Sequence, residues 1–380
     1  MSEVLTMVKT WRGAPAAGGF RMPGEFEPHA GTWMLWPSRT DTWRLGAKPA
    51  QEAFRRVALA IASFEPVTVG VNGSGYEHVR RVMPDKVRVV ELSSNDAWMR
   101  DIGPTFVKND ATGEVRGIDW GFNAWGGLNG GLYFPWDQDQ LAKQKVLEIE
   151  GKDRYDVRNF VMEGGAIAVD GEGTLLATEQ CLLHPNRNPS LSRTEIESRL
   201  ARSLGVRRIV WLKRGLADDE TDGHIDELAA FASPGVVLLA WTDDPDHPQY
   251  EIVREAAAAL DAQQDARGRR LRIERIPLPE PIELSASDSR TIDRAAQSFV
   301  RAPGTRLAAS YVNFYFCNGG LILPAFGDRR DREAQARFAA LFPDRKVVQV
   351  YTREIALGGG NVHCITQQVP AGKRGAFARD

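Results

Sequence analysis

Several features that would define a function class are missing from this 380-residue chain. No apolar run approaches the ~18 consecutive residues that a membrane helix needs. The first segment, MSEVLTMVKTWRGAP, lacks the apolar stretch of a secretory signal. The three cysteines are far apart, at Cys181, Cys317 and Cys364, so a disulfide scaffold is not expected. We therefore expect a cytoplasmic protein with reduced thiols.

Motifs for phosphate binding and for zinc are also missing. The chain has no G-x-x-x-x-G-K-[ST] loop, and its glycine clusters do not form G-x-G-x-x-G after a strand. It has no CxxC pair and no HExxH helix. Lys and Arg number 48 and Asp and Glu number 50, so the net charge is 48 − 50 = −2. Such a balance does not indicate nucleic acid or an anionic membrane as a partner.

Helix-like and strand-like patterns alternate along the chain, of which 43% is apolar. Apolar residues recur three and four positions apart in four segments, which predicts helices over 51–64, 191–205, 250–264 and 331–342. Between them lie short β-like runs: TWMLW, PVTVGVN, VRVVEL, TFVKN, VRRIVWL, GVVLLAWT, LRIERIPL, GGLILPAF and KVVQVY. No linker or low-complexity run divides the chain. The pattern predicts an α/β fold in a single domain.

A weak internal repeat is superimposed on this alternation. Four times, a polar cluster opens a strand, a turn follows, and a second apolar strand returns. The turns fall at Asn109-Asp110, Asp170-Gly171, Pro234-Gly235 and Asn318-Gly319. Similar hairpins recurring along a chain indicate a radial or repeated architecture.

A first candidate site lies in ETDGHIDELAAF, residues 220–231. Asp222, His224 and Asp226 are spaced two apart, so in a strand they would share one face. Two acids and a histidine on one face are costly to bury. They fit a solvated surface, a metal site with His and Asp ligands, or a cation site in which His224 moves protons.

The second candidate site is GGGNVHCITQQ, residues 358–368. Three glycines permit close approach of a ligand, and Cys364 lies beside them among polar residues, where a reactive thiolate is accessible. Cys181 and Cys317 have apolar neighbours and fit inert core positions. In a strand His363 would point away from Cys364 and be structural, so His224 is the best proton partner.

The third and fourth clusters, SSNDAWMRDIGP and VMEGGA, offer Asp96, Asp101 and Glu163. Carboxylates pair well with the fork of donors on a guanidinium group. Together with a cysteine and a histidine, these acids indicate nucleophilic attack on a cationic carbon.

These motifs resemble the agmatine deiminases, members of the guanidine-modifying superfamily that includes arginine and peptidylarginine deiminases. The matching stretches span about residues 19 to 370, and the most specific are NDAWMRD, FNAWGG and GGGNVHCITQQ. The resemblance implies a pentein fold, a five-bladed pseudo-symmetric α/β propeller. It also implies hydrolysis of agmatine to N-carbamoylputrescine and ammonia, a step toward putrescine, with no metal or organic cofactor. Residues 1–18 would form an N-terminal extension, 19–370 the deiminase domain and 371–380 a tail.

The resemblance also assigns roles to individual residues. Cys364 would be the nucleophile, His224 the catalytic histidine and Glu163 the carboxylate that orients it. Asp96 and Asp226 would bind the guanidinium group. Glu220 would face the far ammonium, and Trp98 would line the substrate site. The expected partner is the small molecule agmatine, and the chain is expected to form a homo-oligomer.

The chain departs from the family pattern in several places. Ala166 and Ala168 stand where S-I-H-V is usual, Glu227 where Asn or Asp is usual, and LAAF where a cysteine is common. The two alanine changes put substrate fit in question. Three alternatives stay open: an arginine or peptidylarginine deiminase, a metal-dependent hydrolase using Asp222, His224 and Asp226, and a non-catalytic polyamine-binding protein with an aromatic-acid cage.

Overall fold

The computed structural model describes residues 8–372. Its strands are β1 (Thr10–Trp11), β2 (Phe20–Arg21), β3 (His29–Leu35), β4 (Val67–Val71), β5 (Val87–Glu91), β6 (Thr105–Asn109), β7 (Val115–Gly121), β8 (Arg154–Val161), β9 (Ala168–Val169), β10 (Thr174–Thr178), β11 (Arg208–Leu212), β12 (Ala229–Ser233), β13 (Val236–Trp241), β14 (Arg272–Pro277), β15 (Ile282–Glu283), β16 (Arg306–Leu307), β17 (Tyr315–Cys317), β18 (Gly320–Ala325), β19 (Lys346–Tyr351) and β20 (Gln367–Pro370). Its α-helices are α1 (Lys48–Ile61), α2 (Tyr76–Val82), α3 (Met99–Ile102), α4 (Asp137–Ile149), α5 (Glu179–Leu182), α6 (Arg193–Leu204), α7 (Tyr250–Asp261), α8 (Ala286–Ser289), α9 (Asp331–Leu341) and α10 (Arg353–Ala356).

One unit of a hairpin, a helix and a third strand recurs along the chain. In each copy the two hairpin strands are antiparallel, and the strand after the helix pairs in parallel with the second of them. Four copies follow in sequence: β6-β7-α4-β8, β9-β10-α6-β11, β12-β13-α7-β14 and β17-β18-α9-β19.

The fifth copy joins the two ends of the described chain. Strand β20 runs antiparallel to β3, with Gln367 opposite Trp33, and β3 leads through α1 to the parallel strand β4. Strand β5 then extends this sheet in parallel. The predicted α/β single-domain fold is confirmed, and five copies of one unit are what a five-bladed propeller requires.

All four predicted hairpins are present, and each turn contains a glycine in the left-handed region. Their φ angles are +71° at Gly113, +71° at Gly171, +78° at Gly235 and +74° at Gly319. A residue with a side chain rarely adopts such angles, so glycine removes the steric cost of the turn between the two hairpin strands. The repeat read from the sequence therefore corresponds to a real structural repeat.

The four predicted helices form as α1, α6, α7 and α9, within a few residues of the expected bounds. Helix α4 was not predicted. Its inner face includes Asp139 and Lys143, which are fully buried beside Ala142 and Val146. Because charged residues occupy buried positions, the apolar periodicity that marks the other helices is weakened there.

Helices cover the sheets, which explains the composition of the inner strands. Strands β4 (VTVGV) and β10 (TLLAT) are buried at every residue, as expected for strands covered on both faces. Helix α1 buries one stripe that includes Ala53, Phe54 and Val57. The core therefore follows the ring of sheets and holds the loops at their ends in fixed positions.

Part of the expected N-terminal extension packs on the domain. Strand β1 pairs in parallel with β8, and the Trp11 indole donates a 2.6 Å hydrogen bond to Asp153. The expected domain boundaries stay predictions, since residues 1–7 of the extension and 373–380 of the tail lie outside the described residues. Within residues 8–372, none of the helices combines the length and apolar character needed to cross a bilayer.

Candidate active site

The segments that lead into the first hairpin strand of each unit converge on one pocket. Asp101 precedes β6, His224 and Asp226 precede β12, and Cys364 precedes β20. Glu163 precedes β9 and lies directly behind His224. The space in the pocket and at its opening to solvent is about 370 Å³. Its walls are formed by Trp98, Asp101, Trp125, Leu132, Asp219, Glu220, Thr221, His224, Asp226, Glu227, Gly358, Gly359 and Cys364.

Cys364 lies in a turn, against the glycine loop that the sequence singled out. A Cβ atom on Gly360 would come within 2.7 Å of the Trp98 ring and 3.0 Å of the Cys364 Sγ atom, so a side chain there would block the thiol. The Asn313 amide nitrogen lies 3.2 Å from Sγ and Asp226 Oδ2 lies 3.6 Å from it. Burial, then Asp226, Glu227 and Asp101, raise the pKa of Cys364 well above its usual value. The sulfur is therefore a thiol in the free protein.

His224 is buried between two carboxylates. Its Nδ1 lies 3.8 Å from Asp101 Oδ2 and its Nε2 lies 3.9 Å from Glu163 Oε2. Burial alone would lower the pKa of His224, but Asp101, Cys181 and Glu163 raise it well above 6.5. A Cβ on Gly165 would lie 2.5 Å from Nδ1, so the glycines after Glu163 make room for the imidazole. His224 is thus held as a cation by its carboxylate neighbours.

Glu163 is fully buried and held by Arg187, whose Nε donates a 2.7 Å hydrogen bond to Oε1. Burial alone would raise the pKa of Glu163, but the charge of Arg187 and contacts with His224 lower it to about 2. The carboxylate is therefore ionised across the physiological pH range. This geometry supports its predicted role of orienting His224.

Asp226 is held by His363 from behind the pocket. Its Oδ2 lies 2.8 Å from His363 Nδ1, and His363 Nε2 lies 2.9 Å from Glu25, which pairs with Arg100 at 2.9 Å. Burial would raise the pKa of Asp226, but the hydrogen bond and charge of His363 bring it below its usual value. His363 is therefore structural, as expected, although it lies in a turn rather than a strand.

The structure does not bring Asp96 into the pocket, which corrects the prediction for this residue. Its carboxylate accepts hydrogen bonds from the Trp43 indole at 2.7 Å, the Ala97 amide at 2.8 Å and the Trp98 indole at 3.1 Å. Both oxygens are thus used to fix aromatic side chains. Asp96 supports the pocket wall and does not face the pocket.

Asp101 takes the place expected of Asp96. The short helix α3 turns this residue inward, where Gly165 N donates to Oδ1 at 2.8 Å and the Trp125 indole donates to Oδ2 at 2.9 Å. Asp101 therefore faces both His224 and the thiol. It belongs to the same NDAWMRD motif, five positions after Asp96.

Trp98 and Glu220 both line the pocket, as predicted. The Trp98 ring packs on Trp43 at 4.9 Å between centroids. Glu220 differs from expectation because it is not free: its Oε2 pairs with the buried Arg301. Its Oε1 is buried without a hydrogen-bond partner among residues 8–372.

The proposed metal trio does not assemble. Residues 219–224 form turns rather than a strand, and Asp222 turns away to accept a 2.9 Å hydrogen bond from Arg187. In the described part of the chain, the group with closely spaced ligand atoms is Glu163, Cys181 and His224. The Arg187 cation already neutralises Glu163, and burial raises the pKa of Cys181. These residues therefore do not fit a resident metal ion.

Several site residues were not assigned from the sequence. Arg187, Asn313 and Trp125 lie in the motifs NRNPSLS, ASYVNF and FNAWGG, which carried the resemblance without a role for any residue in them. Arg301 lies outside the quoted motifs. The signal that could have indicated Asn313 is its position just before a first hairpin strand: it lies two residues before β17, and Asp226 lies three residues before β12.

The pocket collects buried hydrogen-bond acceptors that have no partner within residues 8–372. They belong to Glu220, Asp226 and Glu227. Behind the pocket wall, Glu163 Oε2 and His224 Nε2 also lack hydrogen bonds in the described part of the chain and lie 3.9 Å apart. Unpaired buried polar atoms are costly and require an explanation. A ligand rich in N–H donors, bound next to the thiol, would satisfy the free acceptors of Glu220, Asp226 and Glu227.

The fold, with a cysteine and several acids in one pocket, is that of an enzyme that acts on a guanidinium group. The family model described as Porphyromonas-type peptidyl-arginine deiminase matches residues 21–370. The chain belongs to this family.

Relatives of known name agree with that assignment. The agmatine deiminase of Pseudomonas aeruginosa (strain LESB58) is 54% identical over 361 residues, covering 95% of this chain and 98% of that protein. The agmatine deiminase of Pseudomonas putida is 53% identical over 365 residues, covering 96% and 99%. The structure of the agmatine deiminase of Enterococcus faecalis superposes with a TM-score of 0.94 at 47% identity, covering 96% of this chain and 99% of that one.

Proposed function

We propose that this protein hydrolyses agmatine to N-carbamoylputrescine and ammonia through a covalent intermediate on Cys364. The observation that carries the proposal is the set of unpaired buried acceptors around the thiol. Agmatine offers N–H donors at both ends, a guanidinium and an ammonium, so it matches an acidic pocket that has several empty acceptors. The high identity to agmatine deiminases over nearly the full chain favours this substrate.

The first half of the reaction forms a C–S bond and releases ammonia. Asp101 and Asp226 hold the guanidinium plane beside Sγ. The bound cation lowers the thiol pKa, the proton leaves to solvent, and the thiolate adds to the guanidinium carbon. His224 donates its proton to one amino group, the C–N bond breaks, and ammonia departs. The product is an S-linked amidino intermediate and a neutral His224.

The second half uses water and restores the enzyme. Neutral His224 takes a proton from water as the oxygen adds to the same carbon. The C–S bond then breaks, the thiolate leaves, and the carbonyl of N-carbamoylputrescine forms. Two protons have then passed to solvent, one from the thiol in the first half and one from the hydroxyl. Ammonia takes up one of them to become ammonium, and the thiolate takes up the other to become a thiol again. Glu163, fixed by Arg187, keeps the imidazole in place and stabilises its cation in both halves.

An ammonia-release assay tests the substrate. We expect agmatine to be turned over with a kcat/KM at least about tenfold higher than free arginine, because Glu220 already occupies Arg301 and the arginine carboxylate would meet only acidic side chains. A blocked arginine peptide should also be slower, because it lacks the terminal ammonium of agmatine. A chelator should leave the rate unchanged and a thiol-alkylating reagent should abolish it. Equal kcat/KM for agmatine and arginine would move the assignment to an arginine deiminase.

Glu220→Gln is expected to narrow this selectivity. The change removes a negative charge and frees Arg301, which would then attract the α-carboxylate of arginine. We expect kcat/KM for arginine to rise and that for agmatine to fall, so that the ratio shrinks several-fold. The matched control is Glu220→Gln combined with Arg301→Gln, in which the arginine gain should disappear. An unchanged ratio in Glu220→Gln would remove Glu220 from substrate choice.

Assembly and location belong to the same proposal. Four exposed apolar side chains lie on two paired segments, where Phe134 N donates to Gln297 O at 3.0 Å and Phe299 N donates to the carbonyl of the pocket residue Leu132 at 2.8 Å. They are Leu128, Phe134, Phe299 and Val300, with Leu128 91% exposed. Such a patch supports a homo-oligomer, which light scattering would test. Three free cysteines support a cytoplasmic location, and the product lies on a route to putrescine, in polyamine biosynthesis.

A further inference from the structure

Glu227 differs from every other carboxyl of the pocket. It is the last residue of the short 3-10 helix Ile225–Glu227 and is 3% exposed. It lines the pocket together with Cys364, His224 and Asp226. The proposed reaction does not use Glu227.

The other pocket carboxyls each accept at least one hydrogen bond or ion pair from the protein. The pairs are Asp101 with Gly165 and Trp125, Asp219 with Thr221 and the His224 amide, Glu220 with Arg301, and Asp226 with His363. Neither oxygen of Glu227 has a partner in the described part of the chain. A structural role would leave two buried acceptors unsatisfied, which is costly.

The surroundings of Glu227 keep it neutral in the free protein. Burial, followed by the charges of Asp226 and Asp219, raises the pKa of Glu227 well above its usual value, and the cationic His224 opposes this only in part. Cys364, also facing Glu227, is an uncharged thiol in this state. In the free pocket Glu227 is therefore a neutral carboxylic acid, and neither of its oxygens has a hydrogen-bond partner in the described part of the chain.

We propose that Glu227 is a further substrate-binding carboxyl, which releases its proton to solvent when the dicationic substrate enters the pocket. The inference rests on the proposed function and deepens it. N–H donors of the substrate occupy both oxygens, and the substrate charge stabilises the carboxylate. The positive charge of the substrate compensates for the proton that Glu227 releases. Glu227 therefore becomes negative only when the cation is bound.

Calorimetric titration of agmatine into Cys364→Ser tests the proposal directly, because serine removes the thiol proton from the balance. The binding heat is measured at pH 7 in phosphate and in Tris, whose ionisation enthalpies differ, and the difference gives the number of protons released. We expect about one proton per agmatine. The affinity should rise with pH by up to about tenfold per unit while the free acid is protonated and the bound one is not.

Three double variants identify the group. Cys364→Ser with Glu227→Gln should release no proton and bind agmatine about ten- to a hundredfold more weakly, since one charged hydrogen-bonding partner is lost. Cys364→Ser with Glu227→Asp keeps a carboxyl and should still release a proton. Cys364→Ser with Glu220→Gln should also keep the release, because Glu220 is already paired with Arg301.

Each contrary outcome has a distinct meaning. Tight binding of agmatine by Cys364→Ser without proton release would overturn the role of Glu227 and leave the proposed function standing. Release that persists in the Glu227→Gln double variant would assign the proton to another group, such as His224 or Asp219, and overturn it as well. A folded Cys364→Ser protein that binds no agmatine would overturn both the proposed function and this inference.

Discussion

Replacing Cys364 with serine is expected to lower kcat by at least about 10⁴-fold while the protein stays folded. The serine hydroxyl ionises far less readily than a thiol, and the cation that activates the thiol cannot bring a hydroxyl to the same state. The small change of size at a partly exposed position leaves the core intact. Ammonia release under saturating agmatine measures the effect, and circular dichroism confirms the fold.

The matched control is Cys317→Ala. Cys317 ends strand β17, is buried, and lies outside the pocket walls, so its replacement should leave kcat within a few-fold. Cys181 is a poorer control than the sequence suggested, because its sulfur lies within 4.8 Å of ligand atoms of Glu163 and His224. A Cys364→Ser protein with near-normal turnover would rule out the covalent mechanism.

Asp101→Asn should reduce kcat/KM for agmatine by about a hundredfold or more, whereas Asp96→Asn should reduce it less than about tenfold. Asp101 loses a charged contact with the guanidinium, and a charged hydrogen bond accounts for roughly ten- to a hundredfold. His224 also loses the neighbouring charge that raises its pKa most, so it donates a proton less readily at high pH. Asp96 acts only through Trp43 and Trp98.

The pH profile separates these roles. In Asp101→Asn the pKa of His224 falls, so the alkaline limb of the kcat profile should move to lower pH, since the general acid must be protonated. In Asp96→Asn the limb should keep its position. Asp226→Asn is expected to resemble Asp101→Asn in magnitude. A larger loss in Asp96→Asn than in Asp101→Asn would restore the original prediction for Asp96.

The fold was predictable because each repeated unit has turn residues and an apolar periodicity that are visible in short stretches of sequence. Turn residues at Asp170-Gly171 and Asn318-Gly319 fix the hairpins, and apolar periodicity fixes helices such as α7. Helix α4 was missed because tertiary burial of Lys143, whose amine donates to the Asp101 carbonyl, overrides the usual preference for an apolar inner face.

The site was predictable in part. Cys364, His224, Glu163 and Asp226 lie together as the motifs indicated. The choice of Asp96 over Asp101 failed because both acids stand in one motif, and only the turn of α3 decides which faces the pocket. Arg187 was missed because arginine is usually exposed, and its fully buried pairing with Glu163 depends on contacts distant in sequence.

The pairing of β20 with β3 has a consequence for synthesis on the ribosome. Cys364 belongs to the fifth unit, which is complete only when β20 pairs with β3, with Gln367 opposite Trp33. The other four units can therefore form while the fifth still lacks β20. A nascent chain stalled before residue 364 would hold the acidic wall of the site without its thiol. Reactivity therefore arises only at the final step of translation of this domain, and an unfinished chain cannot consume substrate.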